Sequence, residues 1–365
     1  MLSSAPMKRA SACVPVVVLL LACACLSQQP KDALARVDAL VQEFIHEEPV
    51  PALTVAIAVD GRIVYSKGFG QADIENEVKA TPETLIRTAS IAKPISAVAA
   101  MTLVEGGKLN LDTPVQKYCP AFPQKQWTVT TRQVLGHIAG IRHYREGEMD
   151  SIRHYDSMSE AVAIFGNDPL QFEPGTKYQY STYGYTIIGC VIEGASGEEF
   201  VEYLTRHVLQ PAGMTHTLVD DRWGIIPHRA RPYSKKNFKI INAEFMDSSY
   251  KIPGGGLVST AEDMVRFQVA LAAGKLLKPE TVATMWKSLQ TKDGKMTHYG
   301  LGFDVHEANG QKLIGHSGSQ QGCSTAILEL PANNIAVAVM ANIDEVPAPE
   351  LATEILKIYQ PDMKN

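Results

Sequence analysis

The apolar positions of this chain change period along its length. Leu34, Val37, Leu40, Val41 and Phe44 recur at helical spacing and predict an amphipathic helix over Asp32–Glu47. Leu53–Val59 and Arg62–Gly68 read as two strands around Asp60-Gly61, a strong hairpin signal. Ile91–Val104 is apolar on every side and predicts a buried helix stopped by Gly106-Gly107. Helical spacing continues through Ser157–Phe165, Tyr183–Glu193 and Glu198–Val208. Ser259 and Glu262 form an expected capping box for Ala261–Ala273. Strand character returns at Gln311–Ile314, Ser324–Leu330 and Ile335–Asn342, and Pro349–Tyr359 closes the chain as a helix. With strands at both ends and helices between, the expected fold is α+β. One antiparallel sheet of N- and C-terminal strands is flanked by helices, and a helical lobe faces it across a cleft. The α/β part spans about residues 31–80 and 300–362 and the lobe about 81–299, giving one unit over 31–362.

Chemistry enters at the mouth of the apolar helix. Between Arg87 and Glu105, Lys93 is the only charged side chain. An isolated ammonium there is costly unless it is paired or gives up its proton. A lysine held neutral is a base, and Ser90 stands three residues before it on the same helical face. The pair reads as an activated serine nucleophile, although the spacing alone also fits a helix cap with a lysine reaching solvent. A second copy, Ser248-Ser249-Tyr250-Lys251, runs into Pro253-Gly254-Gly255-Gly256, which is expected not to continue a helix. Tyr180-Ser181-Thr182, ahead of the Tyr183 helix, offers a proton-shuttling phenol. Gly315-His316-Ser317-Gly318-Ser319, after the Gln311 strand, offers an edge for substrate and a histidine to bind or protonate it.

Composition narrows the classes. The chain has 365 residues, 45% hydrophobic, and a net charge of -5 with no basic run, which sets nucleic acid aside. Lys8-Arg9 and the short apolar run Val14–Ala22 read as an export leader over residues 1–25. Leu20-Leu21-Ala22-Cys23 resembles a lipobox, so membrane attachment through a lipidated Cys23 and simple cleavage near Ala24 are both open; either way the expected location is periplasm or cell envelope. Cys119, Cys190 and Cys323 are scattered, give no disulfide framework and are expected to be small core residues. No metal spacing and no cofactor motif is present, so a small-molecule or peptide substrate is the expected partner.

The order S-x-x-K, Y-x-x, H-x-G between terminal strands resembles the serine β-lactamase-like family, which includes class C β-lactamases, D-alanyl-D-alanine carboxypeptidases and esterases. Leu135–Gly140, Pro174-Gly175, Gly184-Tyr185, Pro211–Met214 and Gly254–Gly256 add to the likeness, which spans about residues 45–345 and is strongest to a mitochondrial branch. The resemblance implies that Ser90 is acylated, that Lys93 is its base, that Tyr180 moves protons, and that Ser319 supplies an oxyanion N–H beside that of Ser90. Thr182, Ser317 and Gly318 would line the substrate. Two departures stand out: Thr182 replaces the usual asparagine of Y-x-N, and His316 replaces a lysine. A hydroxyl and a mostly neutral imidazole weaken recognition of β-lactam carboxylates, so a peptide, amide or ester fits better. A scaffold role on the same fold is the non-enzymatic alternative.

Overall fold

The computed structural model describes residue 1, residues 29–308 and residues 310–361. The expected leader, with Cys23, lies outside them. Seven strands form the main sheet: β1 (Ala52–Val59), β2 (Arg62–Asp73), β3 (Val78–Lys79), β4 (Asp304–Ala308), β5 (Gln311–Gln320), β6 (Cys323–Leu330) and β7 (Ile335–Ala341). Their order is β3-β2-β1-β7-β6-β5-β4, and neighbours run antiparallel. The two ends of the chain meet at the centre, where Val55 pairs with Val339. Asp60 and Gly61 turn the first hairpin with φ of 51° and 73°, the left-handed pair that a tight hairpin turn requires.

The central strands are buried along nearly their whole length. One face packs on two helices, α1 (Gln29–Glu47) and α5 (Ala348–Tyr359), through Val37, Val41, Leu351 and Ile355. The other face packs on α4 (Ala261–Ala272) and continues into the interior helices α2 (Ala92–Glu105) and α3 (Thr182–Ser196). Helix α2 is apolar all round because it is enclosed all round. The interior segment is not purely helical: Ile86–Arg87, Leu257–Ser259 and Leu218–Val219 form a small sheet behind the start of α2.

Five expectations are corrected. Strand β5 runs on to Gln320, so His316 lies within a strand rather than after one. The cap of α4 is Thr260, whose hydroxyl accepts from Asp263 N at 3.1 Å, while Ser259 bonds Thr217. The helix expected at Ser157–Phe165 closes after Val162, and that expected over Glu198–Val208 becomes Phe200–Leu204 followed by a wider π turn. Cys119 and Cys190 form a disulfide, Cα to Cα 5.3 Å, while Cys323 is a buried free thiol as expected. Gly194 on α3 makes that approach feasible: a Cβ there would sit 1.7 Å from the Tyr118 carbonyl.

The disulfide closes a 71-residue separation between α3 and the segment ahead of it. Cys119→Ser with Cys190→Ser is expected to cost about 2–4 kcal/mol of stability, read by denaturant melts. Peptide mapping without reductant should recover the bridged pair from the parent protein.

Candidate active site

The turn before α2 presents Ser90. Ala89 has φ of 45°, an uncommon conformation for a residue with a side chain. Neighbours on three sides hold it: Thr88 N–H bonds Leu257 O at 2.9 Å, the Thr325 hydroxyl bonds Thr88 O at 2.9 Å, and Gly318 of β5 lies against both residues. A Cβ on Gly318 would sit 2.5 Å from Thr88 O, so only glycine lets the strand approach the turn. The Ser90 N–H precedes the first helical donor, Ile91, and lies at the positive end of the helix.

Lys93 is completely buried. Its Nζ lies 3.0 Å from Ser90 Oγ and donates to Gly254 O at 2.7 Å. The rings of Tyr180 and Tyr185 flank it at 4.8 and 5.6 Å. Burial, then the charge of Lys251, hold its pKa well below the ordinary lysine value, and Asp304 opposes the shift. The Tyr180 hydroxyl reaches the Ser90 side chain, while burial raises its own pKa well above that of a free tyrosine. At neutral pH the site therefore holds a lysine biased toward the amine beside a protonated phenol.

Two histidines position Tyr180. His137 Nδ1 accepts from Ser181 N and His143 Nδ1 accepts from Thr182 N, each at 3.2 Å. The His137 ring also packs on Tyr180 at 4.3 Å. Ser181 caps α3 by accepting from Gly184 N and donates its hydroxyl to Arg142 O. Burial and the nearby Lys93 push both histidines down, His143 to about 4. Neither was singled out from sequence; they lie 44 and 39 residues ahead of the residues whose N–H groups they receive, beyond the reach of local spacing.

The structure brings Ser90, Lys93, Tyr180 and His316 together, with His316 as a wall. Its ring is buried, Nδ1 pairs with Ser317 O at 2.5 Å, and Nε2 pairs with the Tyr299 hydroxyl at 3.0 Å. Burial lowers its pKa further. Both ring nitrogens are thus engaged before any substrate arrives. Pairing of β4 with β5 ends at Gly315, so residues 316–320 have no strand partner on that edge among the described residues; Gly318 faces the Ser90 turn, and the Ser317 and Ser319 side chains are exposed on the opposite face of the strand. Thr182 is buried against Tyr144 and Gly254.

The second S-x-x-K copy is corrected. Ser249–Lys251 forms a 3₁₀ turn that continues as the short helix Ile252–Gly255. This helix supplies the Gly254 carbonyl to Lys93 and seats Lys251 beside Tyr144 and Tyr250. Burial brings Lys251 down to about 7. Among the described residues no group of histidines, cysteines and carboxylates could hold a metal.

A half-buried serine hydroxyl 3.0 Å from a buried amine is the arrangement that an acyl-transfer site requires. Residues 37–360 match the Beta-lactamase family, and the chain belongs to it. It is a serine hydrolase of the acyl-enzyme type. Among its relatives, the human "Serine beta-lactamase-like protein LACTB, mitochondrial" is 29% identical, covering 88% of this chain and 79% of its own. Protein flp of Staphylococcus aureus (strain MRSA252) is 24% identical, covering 89% and 66%. The octameric penicillin-binding protein homologue from Pyrococcus abyssi superposes with a TM-score of 0.78 at 27% identity, covering 90% and 77%. D-amino acid amidase from Ochrobactrum anthropi SV3, solved with D-phenylalanine, gives 0.79 at 21% identity, covering 90% and 99%, and shares the fold.

Lys93 carries a testable stability cost. Its folded pKa lies below the unfolded value near 10.4, so the unfolded chain holds the extra proton as pH falls. Lys93→Met should abolish activity yet raise Tm at pH 7 by about 2 °C or more. Thermal melts across pH should show that advantage shrinking as pH approaches 10.

Proposed function

We propose that Ser90 is the acylated nucleophile and that Lys93 is its base. The carrying observation is the 3.0 Å contact between Ser90 Oγ and a fully buried Nζ that forms no ion pair among the described residues. Lys93 takes the Ser90 proton as Oγ attacks the substrate carbonyl. The N–H groups of Ser90 and Ser319 receive the developing oxyanion. The Tyr180 phenol then gives its proton to the leaving group and recovers one from Lys93, 4.8 Å from its ring. These transfers return Lys93 to the amine, ready to activate the water that cleaves the acyl-enzyme. His316 has both nitrogens engaged, and Tyr180, protonated again by then, has a phenol whose pKa burial raises well above that of a free tyrosine, which favours Lys93 for that step as well.

The substrate we propose is an uncharged peptide, amide or ester. His316 is neutral and the Thr182 side chain is committed to Tyr144, so neither supplies a free cation or carboxamide. Exposed Ser317 and Ser319 on a free edge suit an extended chain. We also propose export to the cell envelope, supported by the leader-like residues 8–25 and by the Cys119–Cys190 bridge, since such bonds persist in oxidising compartments.

A fluorophosphonate probe should label the wild type at Ser90 and leave Ser90→Ala unlabelled. Lys93→Arg, a permanent cation, should slow labelling by about 10²–10⁴; equal labelling of either variant would sink the mechanism. Nitrocefin should turn over roughly tenfold or more below simple esters, the size of one missing charged hydrogen bond. The reverse order in steady-state assays favours a β-lactamase or carboxypeptidase.

A further inference from the structure

Glu329 is a buried carboxylic acid without a partner. It lies on β6 in an apolar row, between Ile314 of β5 and Ala336 of β7, with Ala58 of β1 beyond. Strand alternation turns its side chain to the sheet face that packs on α4, the face of Cys323 and Ile327. Only 4% of the residue is exposed. No hydrogen bond or ion pair reaches the carboxyl from any described residue. Burial alone pushes its pKa up to about 8. A buried polar group without a partner costs stability, so an aliphatic side chain would serve the fold better at this position.

The carboxyl lines a cavity of about 270 Å³. Alkyl walls come from Val269 and Ala272 in the last turn of α4 and from Ile335 of β7. The exposed Asp60-Gly61 turn forms the rim, tied down by Asp60 N–H to Asn334 O at 2.9 Å. The last turn of a helix carries the negative end of its dipole. Asp60 and Glu329 are the titratable residues among those lining the cavity, so every charge it can develop is negative. These features select a cation. One carboxyl at the floor is too few ligands for a metal ion, and the alkyl walls suit a carbon chain. We propose that this cavity binds a primary alkylammonium group, whose N–H donors reach the Glu329 carboxylate while its carbon chain lies along the α4 wall. Binding sends the Glu329 proton to solvent and leaves a hydrogen-bonded ion pair. The site is remote from the nucleophile: Glu329 stands about 13 Å along β6 from Thr325, which holds the Ser90 turn. The inference is therefore independent of the acylation reading.

Isothermal titration calorimetry with n-butylammonium chloride should give saturable binding to the protein. It should be about tenfold or more tighter than n-butanol, which lacks the charge, or tetramethylammonium, which lacks the N–H donors. Affinity should rise about tenfold or more from pH 6.5 to pH 8.5, because a carboxyl held up to about 8 must lose its proton to receive the cation. Glu329→Gln keeps the shape, removes the charge and should weaken binding by a similar factor. Ala272→Leu fills the mouth, leaves the carboxyl in place and should do the same, with a thermal melt reporting that the fold survives. Should Glu329→Gln fail to fold, Ala272→Leu decides. Nα-acetyl-lysine amide is the second probe. Binding of both probes identifies a lysine-like side chain as ligand, binding of butylammonium alone identifies a small free amine, and either supports the proposal. Butylammonium that binds no tighter than butanol, a flat pH profile, or a folded Glu329→Gln variant that binds as wild type does overturns it.

Discussion

The structure is organised around the buried Lys93 amine, which forms no ion pair among the described residues. Lys93 sits in a helix enclosed on all sides, and the protein gives it a carbonyl, a hydroxyl and two aromatic faces in place of a carboxylate. A carboxylate at that spot would hold the proton on the lysine and remove the base. The enclosure therefore has to be complete, and every neighbouring element contributes: the short helix after Lys251 lends its carbonyl, α3 lends Tyr185, and β5 closes the sheet side. Lys251 strengthens the bias, since a second buried cation disfavours charge on the first.

The same economy governs the helical wall. Tyr180 precedes the capped start of α3, and the two N–H groups that follow it are each received by a histidine. Those bonds hold the phenol over Ser90 and leave the outer nitrogens of both rings as donors. His137 has φ of 58°, a costly backbone conformation that the surrounding rings over-determine. The Cys119–Cys190 bridge anchors α3 further along. The wall is thus tied at both ends.

Several local patterns hold in the structure. The Asp60-Gly61 hairpin, the Gly106-Gly107 stop and the terminal helices follow from turn chemistry and period. Three of the departures share a cause. The Gly315–Ser319 run was placed after the Gln311 strand because small residues have weak strand preference, yet β6 pairs with it through to Gln320. The triple glycine after Lys251 looked like a helix breaker, yet packing against Thr182 and Ala89 holds one short helical turn in place. The disulfide joins residues 71 apart, and no spacing rule reaches that far.

The amino-acid order by itself determined that a serine and a lysine share the mouth of a helix too apolar to be exposed, that strands at the two ends must find each other, and that a phenol and a histidine lay in segments able to meet them. Tertiary structure alone decided that Lys251 neighbours Lys93, that His316 spends both nitrogens on Ser317 and Tyr299, and that His137 and His143 hold the Tyr180 segment. The reason is range. Periodicity and capping act over a few residues along the chain, whereas a pKa or a hydrogen-bond partner is set by whatever the fold packs within a few ångströms, from any distance in sequence.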